Sequence, residues 1–397
     1  MTRYCSIILC TAVALLVALG LVMLASTSAW VLEEGKDPYY FVWNQARMVV
    51  LGLVVACAAS SAPEGWLRKL WPWALAACCV LLALCFLPGI GVETYGAKRW
   101  IKLPGLPQFQ PSELARVVGV ISVAGWFARW QTETRSFWRG YILPGMMIGL
   151  PIGLIAIETD VGSALSMSAA CAVMFFCAGT RLRFLLPTAI VAMVLASAYI
   201  RHNPTRWSRI EAWLDLGKKQ EEMSEPEWKA LIKRRDEGKG AQQWRALVAF
   251  GNGGPNGVGL GNGAEKFGKL TFAHIDFIFP EVGEELGLPF TLGVVLCYVM
   301  IAVAGFGIAL QAKNVFPRLM AIGLTCMIVI PAMQNIAVTT GAMPNDGLPL
   351  PFVSFGGSSI VFALLAVGML VGIHRRCTPE GIPELALCKN RSYAIRL

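Results

Sequence analysis

The run AHIDFIFPEVGEELG, Ala273 to Gly287, sets Asp276, Glu281, Glu284 and Glu285 among Ile, Phe, Val and Leu. A carboxylate beside hydrocarbon is expensive unless it is paired or put to use. Asp276 is flanked by Ile275 and Phe277, with His274 two residues back. Partial desolvation there would raise its proton affinity, which is how a carboxylate becomes a general base near neutral pH. The three glutamates have a plainer account. They open an apolar helix, where negative charge complements the N-terminus, and Glu281 and Glu285 share one face. Local chemistry alone leaves Asp276 open between a catalytic and a structural role.

The elements that must position these residues are membrane helices. The chain has 397 residues, 56% hydrophobic and 15% charged, against about a quarter charged in soluble domains. Its apolar runs have the length needed to cross a hydrocarbon core of roughly 30 Å as helices. The expected fold is an all-α polytopic membrane protein with ten spans. They run near 6–27, 45–62, 69–87, 111–128, 141–158, 161–179, 184–200, 283–310, 316–338 and 357–374, and a large extracytoplasmic loop, 201–282, joins the seventh to the eighth. The first run lacks a small-residue cleavage site and reads as a retained span. Arg68 and Lys69, Arg129, Arg135 and Arg139, Arg181 and Arg183, Lys313 and Arg318, and Arg375 and Arg376 all fall on one side, which sets both termini in the cytoplasm. The net charge of +9 is then a topology signal and gives no reason to invoke nucleic acid. The twelve cysteines form no CxxC pair and lie in apolar runs or near the termini, so neither a disulfide framework nor a zinc site is expected.

Exceptions to the charge rule stand out. Lys98, Arg99 and Lys102, beside Trp100, lie on the outer side, where they could pair with Glu93 or another carboxylate or face lipid phosphate or pyrophosphate. Pro111 is placed to open the fourth helix. In IETDVGSA, Asp160 is a candidate cap for the sixth helix or a contact for a cation or hydroxyl. Ser224 and Glu227 form a capping-box pattern before Trp228, Leu231 and Ile232, which predicts a short amphipathic helix. Ala249 to Gly263 holds seven glycines; without a strand–turn–helix context a re-entrant loop fits better than a nucleotide site. Lys266 and Lys269 follow it. In MPNDGLPLPFVSFGGSS, Ser358 or Ser359 is expected to cap the last helix, and no nearby histidine could activate a serine nucleophile.

These strings together resemble the SEDS family of shape, elongation, division and sporulation proteins, typified by FtsW and RodA. GAKRWI with QPSEL, ETDVGSAL, RWSRIEAWLDL, GGPNGVGLGNG, AHIDFIFPEVGEELG and LPLPFVSFGGSS occur in the family's order across nearly the whole chain. The resemblance implies a multi-pass protein of the cytoplasmic membrane that polymerises lipid II, a disaccharide–pentapeptide on undecaprenyl pyrophosphate, at the outer face. It implies a class B penicillin-binding protein and other divisome proteins as partners. The family's essential aspartate falls on Asp276, which would take the proton from an acceptor hydroxyl. Substrate contacts would come from Lys98, Arg99 and Trp100 in the first motif, Glu113 in the second, Asp160 and Arg209 in the next two. Lys266, Lys269, His274, Glu285 and Ser358 would complete them. A divalent cation, Mg2+ or Mn2+, could help to stabilise the departing pyrophosphate. The chain departs from the family pattern at Ile275, Thr159 and Asp346, and is more charged across 217–240. GVGLGN and VGEELG look more like the division branch. A lipid-linked precursor flippase and a non-catalytic division scaffold are the rival readings.

Overall fold

The computed structural model describes residues 4–31, 39–87, 91–94, 97–101, 108–158, 160–218, 224–238, 240–267, 270 and 273–377. Lys269 and Lys102 lie outside them, as do the side chains of Lys98 and Glu93.

Fourteen α-helices and one β-hairpin are described: α1 Cys5–Val31, α2 Tyr40–Ser61, α3 Glu64–Leu84, β1 Gly91–Thr94, β2 Ala97–Ile101, α4 Pro111–Arg129, α5 Leu143–Ile157, α6 Val161–Cys177, α7 Leu182–His202, α8 Pro204–Leu216, α9 Glu225–Glu237, α10 Ala241–Gly253, α11 Ile278–Leu286, α12 Leu288–Gln311, α13 Val315–Thr339 and α14 Gly357–Cys377. Eight of these helical segments are long and apolar enough to cross a membrane. The fourth and sixth expected spans are helical as α4 and α6 but are not among the eight; α4 carries the buried Glu113 and Arg116, and α6 is 17 residues long. Pro111 opens α4 as expected.

Helix α13 is the centre of the bundle, packed against α4, α6 and α12, while α2 lies along α14 and α1 along α12. Pro331 sits inside α13, and a helical proline leaves the carbonyl four residues back without its donor. That carbonyl, Met327 O, accepts instead from Arg116 Nη2 at 2.9 Å. Arg116 also pairs with Glu113 at 3.0 Å. The buried ionic pair of α4 thus repairs a broken turn of its neighbour. At the opposite extreme, α7 has no buried residue.

The eighth expected span, 283–310, is divided. Gly287 has φ +79°, which a helix cannot propagate through, and a Cβ there would lie 2.5 Å from Gly257 N. The carboxylates expected at the start of a long span therefore sit on the separate short helix α11. Ser224 and Glu227 do form the capping box of α9. The 341–356 connection is irregular and is held by three buried side-chain amides. Gln243 donates to Val338 O and Met343 O at 2.7 Å, Gln45 donates to Ser354 O at 3.1 Å, and Asn335 donates to Leu348 O at 2.7 Å.

Candidate active site

At the end of the bundle that carries the hairpin, four segments meet around Asp276. It lies in the turn before α11, half-buried. Its backbone carbonyl accepts from Asn335 Nδ2 at 2.7 Å, and its Oδ2 would lie 3.4 Å from a Cβ on Gly347. Arg99 from β2, Arg209 from α8, Asp160 before α6 and Asp346 all act electrostatically on its carboxyl. Burial is the main influence and pushes Asp276 up to about 7; Arg99 and Arg209 pull it down, while Asp346 and Asp160 push it up. Burial likewise raises Asp346 to about 6.

Asp160 organises one side of this cluster. Its Oδ1 accepts from Ser163 N at 3.2 Å, capping α6, and lies 3.7 Å from Arg99 Nη1. Its Oδ2 accepts from Gln110 Nε2 at 3.1 Å. The two uses weighed for Asp160 in the sequence, cap and cation contact, coexist. The Gln110 amide N–H donates to Ser358 Oγ at 3.2 Å, which ties the start of α4 to α14. Ser358 is not a helix cap, because α14 already begins at Gly357 and the hydroxyl is engaged across the bundle. Arg209 Nη1 reaches Asn345 O at 3.4 Å, on the far connection. Trp100 is half-buried on β2, opposite Val92.

Other expected site residues are used elsewhere. Lys266 is fully buried, 2.5 Å from Glu285 Oε1, with further bonds to Gly261 O at 2.7 Å and Ser26 Oγ at 2.9 Å. Its three donors are spent, so it is not available to a pyrophosphate. Glu285 also accepts from Gly261 N at 3.0 Å. Glu284 accepts from Ala264 N at 3.1 Å, Glu265 N at 3.2 Å and Asn252 Nδ2 at 3.1 Å. The glycine-rich segment does present its amides to anions, and those anions are the protein's own glutamates. Gly263 allows the approach: a Cβ there would sit 3.1 to 3.2 Å from oxygens of Glu284, Glu285 and Glu281. The stretch expected to be a re-entrant loop is helical through Gly253 and then wraps α11. His274 is buried, its ring 4.7 Å from Phe41 and 6.2 Å from Phe355, and burial lowers it to about 4, so it stays neutral. Glu113 is committed to Arg116.

Asn335, which nothing in the sequence motifs marks, stands beside Asp276, and Asp346, which the sequence shows only as a departure from the family pattern, acts on the same carboxyl. Asn335 had a signal, since a polar side chain within an apolar run of a membrane helix is by default a functional candidate. No three His, Cys, Asp or Glu side chains among the described residues converge to hold a metal ion.

This arrangement can be set beside known proteins. A family model described as FTSW_RODA_SPOVE, cell cycle protein, matches residues 6–378. The chain belongs to that family. A probable peptidoglycan glycosyltransferase FtsW of Geobacter sulfurreducens is 34% identical over 375 residues, covering 94% of this chain and 96% of the relative. The FtsW of Pseudomonas fluorescens, also named a probable peptidoglycan glycosyltransferase, is 35% identical over 365 residues, 90% of this chain and 85% of its own length. Among solved structures, a chain of a peptidoglycan synthase complex studied for coordination of polymerization and crosslinking superposes with TM-score 0.74 at 26% identity, covering 94% of this chain and 98% of that one. The rod shape determining protein RodA of Thermus thermophilus gives 0.65 at 26% identity, with 93% and 96% covered. The FtsW/RodA fold therefore extends over nearly the entire chain, the segments around Asp276 included.

Proposed function

We propose that Asp276 is the general base of a peptidoglycan glycosyltransferase that joins lipid-pyrophosphate-linked disaccharides into glycan strands. The glycosyltransferase class rests on the family and on the named activity of relatives that match over nearly their full length. The observation that carries the residue assignment is the charge cluster itself: a carboxyl held near neutral proton affinity by burial, with arginines from two separate elements acting on it. In the proposed step, Asp276 accepts the proton of the acceptor sugar's 4-hydroxyl as that oxygen attacks the anomeric carbon of the donor. The bond from that carbon to the pyrophosphate oxygen breaks, and Arg99 and Arg209 stabilise the departing lipid pyrophosphate. Such a leaving group needs little protonation, so a second carboxylic acid is not required.

The substrate is proposed to be lipid II, taken at the outer face of the cytoplasmic membrane with both termini inside. A class B penicillin-binding protein is the proposed partner, in keeping with the synthase complex to which one structural neighbour belongs. A divalent cation enters the proposal only with substrate phosphates as co-ligands, because the described side chains do not supply a complete donor set. No step above passes through it.

Purified protein with labelled lipid II is the test. Asp276→Asn should abolish glycan polymer while leaving a monodisperse, folded protein. Polymer formation at the parental rate would remove Asp276 as base, and a parental protein that moves lipid II across vesicles without polymerising it would favour a flippase.

A further inference from the structure

Asn335 is nearly inaccessible, at 1% exposure, on α13, the most buried of the eight helical segments long and apolar enough to cross a membrane. Its Nδ2 makes two bonds of 2.7 Å, one to the backbone carbonyl of Asp276 and one to that of Leu348. A single amide therefore joins the segment that carries the aspartate to the 341–356 connection, where Asp346 and Gly347 face it. A second bridge runs in parallel, from Phe355 N to His274 O at 2.9 Å. The turn 273–277 is not helical and gains no order from a helical ladder. Its position depends on these cross-connections.

Gln45 is equally buried, donates to Ser354 O at 3.1 Å and accepts from Gly356 N at 3.2 Å, so it steadies the same connection. It makes no bond to the Asp276 segment. Gln45 can serve stability alone, whereas Asn335 also fixes where Asp276 stands relative to Asp346 and the arginines.

We propose that Asn335 is a positioning residue for glycosyl transfer, holding Asp276 in register with the 341–356 connection through its two backbone bonds. It acts through Asp276 and touches no reacting atom. This inference rests on the reading of Asp276 as base. A general base works only within hydrogen-bond reach of the proton it takes, and a displacement of about 1 Å can cost on the order of a hundredfold in rate.

The experiment compares Asn335→Ala, Asn335→Asp, Gln45→Ala and Asp276→Asn in the full-length protein, with lipid II as substrate and rates scaled to folded protein. Asn335→Asp keeps the side-chain shape but presents oxygen where two carbonyls need a donor, so it tests the bonds if the alanine variant does not fold. Both Asn335 variants should lower kcat at least tenfold with KM within about twofold, while Gln45→Ala lowers thermal stability and keeps kcat within about threefold. Parental kcat in the Asn335 variants, or an equal loss in Gln45→Ala, would overturn the proposal. An active Asp276→Asn would instead overturn the base assignment, whatever the Asn335 variants do.

Discussion

Replacing Lys266 by Met separates a structural cation from one that serves substrate. Lys266 Nζ has three donors and uses all of them, on Glu285, Gly261 O and Ser26 Oγ. Neither side chain of the pair has any exposure. Methionine leaves Glu285 with only its Ser26 and Gly261 donors, beside a Glu284 oxygen that lies close to the same Gly263. Breaking a buried pair from one side costs about 3–5 kcal/mol, because the surviving charge is uncompensated. The double variant Lys266→Met with Glu285→Gln removes both charges and should recover most of that loss, short of about 1 kcal/mol for each lost neutral bond. Denaturation of the detergent-solubilised protein measures the stability, and lipid II polymerisation per folded molecule measures the chemistry. The double variant is expected to be folded and active within a few-fold of the parent. A double variant that is stable but inactive would refute the reasoning and put Lys266 on the substrate.

The pH dependence of polymerisation should show an acid limb near pH 7, with rate rising as Asp276 ionises and levelling above; Asp346→Asn removes a negative neighbour and should move that limb to lower pH, and a shift upward would contradict the arrangement. Glu281 is fully buried with neither oxygen hydrogen-bonded, and burial raises it to about 8. Its folded value lies above its unfolded one, so its neutral form is tolerated in full below about pH 4.5, and stability is lost as pH rises towards 8, by up to roughly 5 kcal/mol. Glu281→Gln should therefore flatten the loss of thermal stability between about pH 5 and pH 8 that the parent shows, and an unchanged slope would sink the assignment. Asp160→Asn keeps the cap on Ser163 and weakens the hold on Arg99; stability should change by no more than about 1 kcal/mol while kcat/KM falls, and unchanged kinetics would show that this contact does not place Arg99 for the reaction.

The helical, membrane-spanning character of the chain was legible because hydrocarbon length is written directly in apolar runs. Pro111, the Ser224 box and the Asp160 cap were legible because each is a local interaction within four residues. The split at Gly287 was hidden: the apolar pattern continues through it, and only the tight approach of Gly257 demands a positive φ. The roles of Lys266 and Glu285 were hidden for a related reason. Their spacing suggests cations and anions waiting for substrate, but the partner of each is the other, together with Ser26 from α1, 259 residues from Glu285. The distribution of charge between the Asp276 cluster and the core is a tertiary fact. Asp276 was singled out by its apolar neighbours, and the arginines that complete its surroundings come from β2 and α8, far apart in sequence.

Glycosyl transfer from a lipid pyrophosphate sets two demands that compete at one place. Stabilising the leaving group requires cations, and cations beside the base lower its proton affinity. Here Arg99 and Arg209 do pull Asp276 down, and burial together with Asp346 and Asp160 more than offsets them. On the proposed reading the conflict eases further when the donor arrives. A pyrophosphate seated against the arginines cancels much of their field at Asp276 and adds negative charge of its own, so the proton affinity of the carboxyl rises. The base is then strongest when there is a donor to be attacked. Asp346 belongs to this balance: it is part of what keeps Asp276 near 7 before any phosphate binds. A lysine or a neutral residue at that position would leave a weaker base before the donor binds, more dependent on the donor to make it effective.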